Sequence, residues 1–159
     1  MTRAAALVMV LLPAVALAAP VELPKTKALL DVPASCTRVE RPGLVAAYTC
    51  PDGLAVAVTR AQVPNPDAWR TKTRDAYFDQ ITRGAIAAAP GLRQTARRIS
   101  DANGVPALDL ELRRADGAAL VIRILAFRTY ALAATVEVPK GVALDEARAI
   151  TTRFAPPRA

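Results

Sequence analysis

Four segments between Leu92 and Val138 are strand-like, separated by turn residues, and constrain the fold more than any other feature of the chain. Leu92 to Ser100, Val105 to Arg113, Ala118 to Phe127 and Tyr130 to Val138 are divided by Ala102-Asn103-Gly104, Ala115-Asp116-Gly117 and Arg128-Thr129. Parallel strands need a crossover of a dozen or more residues, so connections this short force consecutive strands to pair antiparallel. One register can be argued outright. If Ala115-Asp116-Gly117 is a three-residue loop with Gly117 at the positive-φ position, then Leu112, Leu110 and Leu108 face Leu120, Ile122 and Ile124, and Asp109 stands opposite Arg123. A two-residue loop would set Leu110 against Arg123 and Glu111 against Ile122, so the hydrophobic match selects the longer one. Ala118 to Phe127 is apolar on both faces apart from Arg123, which suits a central strand covered on two sides.

Upstream, Arg41-Pro42-Gly43 and Asp52-Gly53 divide Ser35 to Glu40, Leu44 to Thr49 and Leu54 to Thr59 into a three-strand meander. Cys36 and Cys50 are equidistant from Gly43, so a hairpin centred there sets them opposite one another, close enough for a disulfide. Asn65-Pro66-Asp67 reads as a helix start, with Asn65 as cap and Pro66 in the first turn, and Pro90-Gly91 as its stop. Trp69, Ala76, Tyr77, Ile81, Ala85 and Ala88 fall along one side of that helix. A second helix is expected over Leu144 to Phe154, with Ala143, Ala147, Ile150 and Phe154 as its apolar stripe and Asp145 and Glu146 in its first turn. The expectation is therefore an α+β domain in the order β-β-β-α-β-β-β-β-α, with an antiparallel sheet of about six to seven strands packed with a long helix and a C-terminal helix.

The N-terminus carries Arg3, an apolar run from Ala4 to Leu17 broken only by Pro13, and Ala16-Leu17-Ala18, the n-region, h-region and small-residue site of a secretory signal peptide over residues 1–18. The run falls short of the roughly 20 residues that span a bilayer, so no membrane span is expected after cleavage. Residues 19–27 contain two prolines and no periodicity and read as a flexible tail; the single domain then covers 28–155, and 156–159 form a C-terminal tail. Loss of Arg3 leaves 20 basic against 14 acidic residues, a net +6 on an exported protein, periplasmic or extracellular. An even cysteine count in such a compartment favours one disulfide.

The chain has no histidine, which excludes Ser-His-Asp and Cys-His catalysis and histidine metal ligation. The only serines, Ser35 and Ser100, form no Ser-x-x-Lys pair, and no phosphate loop or dinucleotide fingerprint occurs, so no cofactor is expected. Asp109 and Glu111 alternate onto one strand face and are the only candidate carboxylate pair, but Arg113 and Arg123 stand close enough in the proposed register to neutralise both. Arg97, Arg98, Arg113 and Arg114 are a candidate anion-binding patch; without interleaved aromatics it does not fit nucleic acid. Trp69 and Tyr77, two helical turns apart, are a candidate groove lining.

The helix holding Trp69 to Ala88, the strand pair Ala118 to Val138 around Tyr130-Ala131-Leu132, and the closing helix ending Thr152-Arg153-Phe154 give an element order that resembles the PsbP-like superfamily. The resemblance implies an antiparallel sheet packed between helices and accessory or protein-binding roles; no functional residue carries over from it. The reading is a non-enzymatic exported domain that binds an envelope protein, with two alternatives: electrostatic binding of anionic lipid or glycan through the arginines, and a carboxylate enzyme acting on an envelope polymer.

Overall fold

The computed structural model describes residues 20–62 and 71–158. The expected signal peptide, the expected helix start at Asn65-Pro66-Asp67, and Trp69 lie outside the described residues. Strands β1 (Val21–Glu22) and β2 (Leu29–Leu30) pair antiparallel as a small separate ladder. The main sheet contains β3 (Thr37–Arg38), β4 (Ala46–Thr49), β5 (Ala55–Gln62), β6 (Leu92–Ala102), β7 (Val105–Arg114), β8 (Ala119–Ala126) and β9 (Tyr130–Val138), with helix α1 (Thr71–Ala88) between β5 and β6 and helix α2 (Asp145–Arg153) after β9. Its spatial order is β3-β4-β5-β9-β8-β7-β6, antiparallel throughout. This is the α+β architecture expected from the sequence, and from β3 onward the element order is the expected one; the β1–β2 ladder is an addition.

The argued register holds residue for residue. Leu108, Leu110 and Leu112 face Ile124, Ile122 and Leu120, and Asp109 faces Arg123. Gly117 takes φ +94°, a conformation that a side-chain-bearing residue rarely adopts, and so allows the loop that fixes this pairing. Strand β8 lies in the interior of the sheet and is buried on both faces, as its two-sided apolar pattern requires.

Two cores result, one on each side of the sheet. Under α2, Leu132, Ala134, Val136 and Val138 of β9 pack with Val56, Val58, Tyr48, Ala147, Ile150 and Phe154. Under α1, Leu108, Leu110, Leu112, Ile122 and Ile124 pack with Leu92 and Phe78. Phe78 is fully buried, whereas Ala76 and Ala88, both expected on the inward stripe, are exposed. The helix is rotated so that Phe78, Thr82 and Ala85 lead its inner face, with the expected Tyr77 and Ile81 packed beside them. Thr82 keeps its hydroxyl satisfied there by donating to the Phe78 carbonyl at 2.8 Å. In α2, Leu144 is buried in place of the expected Ala143.

The expected flexible lead is part of the fold from residue 20 onward. Val21 and Glu22 pair with Leu30 and Leu29, and Leu23 is 1% exposed in the α2-side core. A single buried leucine supplies roughly 1.5–3 kcal/mol of transfer free energy, enough to hold down a segment that lacks periodicity. The C-terminal tail is anchored as well: Pro156 is buried, and its carbonyl accepts a 2.6 Å hydrogen bond from Asn103 Nδ2.

Candidate functional site

The polar groups concentrate where α2 packs on β8 and β9, along its flank toward β7. Ala147, Ile150 and Thr151 press α2 onto the sheet, which brings its last carbonyls over β8. Arg123 rises from β8 into that contact and is 8% exposed. Its Nε donates to Asp109 Oδ1 at 2.6 Å, Nη2 to Asp109 Oδ2 at 3.1 Å and Nη1 to the Thr152 carbonyl at 2.5 Å. The bidentate fork satisfies the carboxylate, and the third bond places a cation at the negative end of the helix. Ser100 Oγ donates to Asp109 Oδ2 at 3.2 Å from the neighbouring strand.

One turn back along α2, Arg148 donates from Nε and Nη2 to the two oxygens of Glu111, at 2.6 and 3.1 Å. This bidentate bond, with the charge of Arg148 and a smaller contribution from Arg113, holds the Glu111 carboxyl below its usual range against the opposing effect of burial. Glu111 in turn raises the Arg148 guanidinium. Arg153 pairs with Asp31 at 2.9 Å, tying the end of α2 to the segment after β2.

These contacts border two grooves. One, of about 270 Å³, runs along β6 and β7 beside α2 and is lined by Arg98, Asp109, Glu111, Arg148, Thr151 and Thr152 among others. The other, of about 520 Å³, opens at the far end of α2 around Asp31, Asn103, Arg123, Arg153 and Pro156. The carboxylates Asp109 and Glu111 are both held by arginine, and the Glu111 carboxyl is moved toward stronger acidity. A general acid near neutral pH needs the opposite shift. Among the described residues, no group of three or more Cys, Asp or Glu side chains could hold a metal ion, and no helix is long and apolar enough to cross a membrane.

The sequence-derived site residues divide as follows. Cys36 and Cys50 form a disulfide next to the β3–β4 pairing, with Cα atoms 4.0 Å apart, as the hairpin symmetry implied. Asp109 takes the expected Arg123, but the partner of Glu111 is Arg148 on α2, brought there by tertiary packing that no strand register describes. The four-arginine patch does not form on one surface. Arg97 turns toward α1, where Nη2 donates to Asp79 Oδ1 at 2.6 Å, and Arg114 lies on that same side opposite Leu92. Arg98 and Arg113 lie on the α2 side, opposite Asp109 and Arg93. Arg93 therefore belongs to the basic surface and was missed, because alternation from the turn at Asn103 puts it on the α1 side and only the extra residue in β6 between Gln94 and Ala96 turns it to the α2 side. Tyr77 lies in tilted contact with Phe78, with ring centroids 6.3 Å apart, and burial raises its phenol. Trp69, its expected companion, lies outside the described residues; a groove of about 480 Å³ at the C-terminal end of α1 is lined by Leu92, Arg114, Leu120 and Glu137 among others.

Solved structures share this architecture at low identity. The solution structure of cyanobacterial PsbP, CyanoP, from Synechocystis sp. PCC 6803 superposes with a TM-score of 0.61 over 87% of this chain and 92% of that one, at 13% identity. A protein of unknown function from Pseudomonas aeruginosa gives 0.51 over 89% and 98%, at 15% identity. A crystal structure from Bacteroides thetaiotaomicron VPI-5482 gives 0.52 over 83% of this chain but 46% of that one, at 12% identity. No family model matches the chain, and no curated protein matches it. The chain has a PsbP-like fold.

Proposed function

We propose that this chain is an exported, non-catalytic domain, periplasmic or extracellular, that binds and assists a protein of the cell envelope. The observation that carries the reading is the state of the acids on the α2 face: Asp109 and Glu111 are each held in a bidentate arginine pair that fastens the fold. That arrangement supports structure and recognition, and it leaves the carboxylate-enzyme reading without its acid. The disulfide agrees with an oxidising compartment, and the PsbP-like fold agrees with an accessory role.

A second reading, electrostatic binding of anionic lipid or glycan, draws support from the arginines on the α2 side that have no ion pair among the described residues. The two readings differ in salt dependence. Surface charge attraction fades as the Debye length shrinks from about 10 Å at 0.1 M salt to about 3 Å at 1 M, whereas an interface with an apolar centre persists. The oxidised protein is immobilised and exposed to envelope extract at low and high salt, and bound material is identified by mass. A defined protein retained at high salt is the expected result. Anionic lipid or glycan alone, lost at high salt, overturns the protein-binding reading and favours the electrostatic one.

A further inference from the structure

The main sheet ends in two unequal edges. Strand β3 offers two residues, while β6 runs for eleven with its outer side unpaired among the described residues. Every residue from Arg93 to Arg98 is exposed. On β7, residues 109, 111 and 113 point to the α2 side, alternating with the leucines under α1, so Arg93 and Arg98, opposite Arg113 and Asp109, point there too. Asp109 is committed to Arg123 and Glu111 to Arg148; Arg93, Arg98 and Arg113 have no ion-pair partner among the described residues. Like charges directly opposite one another oppose strand pairing, and an anion lodged beside Arg93 and Arg113 relieves that opposition.

The irregularity in β6 sets a spacing. Gln94 lies opposite Leu112 and Ala96 opposite Glu111, so Thr95 is an extra residue. Arg93 and Arg98 are consequently four strand positions apart on β7, about 14 Å at roughly 3.4 Å per residue. Between them lie Ala96 and the negative Glu111.

We propose that the β6 edge binds an extended acidic segment of a protein partner. The segment's backbone continues the sheet, two carboxylates four residues apart meet Arg93 with Arg113 and Arg98, and the residue midway between them is neutral. A lipid headgroup or glycan has no regular run of amide donors and acceptors to match an open strand edge, whereas a peptide does. The inference rests on the protein-binding reading and adds to it the surface and the chemistry of the partner.

The test titrates the oxidised protein with fluorescent peptides of about seven residues that alternate valine with polar residues, long enough to match a short strand. The matched peptide carries aspartate at its second and sixth positions and threonine at its fourth; one control has asparagine at the second and sixth, and another carries its aspartate only at the fourth. Tighter binding of the matched peptide is expected, with new exchange protection of β6 amides. The double variant Arg93→Ala/Arg98→Ala should weaken that binding about tenfold or more, and Arg114→Ala, on the other face, should leave it unchanged. Equal affinity for all three peptides, or no new β6 protection, overturns the proposal, and so does self-association of the double variant without peptide binding, the behaviour of arginines that only guard an edge. In the envelope capture, retention of the same protein by wild type and by Arg93→Glu/Arg98→Glu alike overturns this surface and leaves the accessory reading standing, whereas retention by wild type alone supports it.

Discussion

Replacing Arg123 with methionine tests how far the domain depends on the polar link between α2 and the sheet. Methionine fills much of the same volume but removes three donated hydrogen bonds, two to Asp109 and one to the Thr152 carbonyl. Breaking a buried ion pair by deleting one partner costs about 3–5 kcal/mol, because the other charge is left uncompensated. Here the abandoned carboxylate is 32% exposed and keeps Ser100 as a donor, so water recovers part of that penalty. The orphaned Thr152 carbonyl adds about 1 kcal/mol, and the extra apolar burial of methionine offsets a similar amount. The expected net loss is about 2–4 kcal/mol, which for a domain of this size lowers Tm by roughly 5–15 °C. Urea denaturation of the single variants and of Arg123→Met/Asp109→Leu gives the coupling directly. The double variant should recover at least about 1 kcal/mol relative to the sum of the singles, since it leaves no charge behind. A single-variant loss under about 1 kcal/mol, or strict additivity, refutes the account of this pair.

Replacing both cysteines with alanine should cost about 3 kcal/mol, from the loop that the disulfide closes; an unchanged melting curve would show that the crosslink is absent in solution. Leu23→Ala should cost about 2–4 kcal/mol, since the side chain is 1% exposed, and a loss below about 1 kcal/mol would return the N-terminal segment to a loose lead. The pH dependence of Glu111 has a definite sign. Its carboxyl titrates lower in the folded state than the ordinary 4.5, so its stabilising contribution is present above that value and disappears as the pH falls through the lowered one. Wild type should therefore exceed Glu111→Gln in stability by about 1 kcal/mol at pH 7, with the gap closing below about pH 4. A gap that widens on acidification would contradict the Arg148 pairing.

The parts of the fold that local physics dictates were legible before any coordinates. The Ala115-Asp116-Gly117 loop fixed the β7–β8 register because a slip of one residue would have set Leu110 against Arg123. The symmetric spacing of Cys36 and Cys50 about Gly43 located a crosslink for the same kind of reason. What was not legible depends on how elements dock. Helix α1 carries apolar residues around much of its circumference, so its 3.6-residue period did not single out Phe78 as the buried side chain. Leu23 lies in a short Pro-containing segment with no period, and only the tertiary core shows that it is anchored. At the candidate site, the pairing of Asp109 with Arg123 is a cross-strand relation and was readable, whereas Glu111 with Arg148 joins a strand to a helix and was not. The arginine patch failed for a simpler reason: adjacent residues on a strand point to opposite faces, so Arg97 and Arg98 cannot share one surface, nor can Arg113 and Arg114.

We propose that this chain works by binding, with Asp109 and Glu111 serving the fold alone. The most direct measurement compares partner retention from envelope extract by wild type and by Asp109→Asn/Glu111→Gln, at a temperature where both are shown to be folded. Retention of the same protein in equal amount is the predicted result, since neither carboxylate is free to contact a ligand. Loss of the partner by the folded variant, or a small product released by wild type alone, would contradict it and place those two acids at a working site.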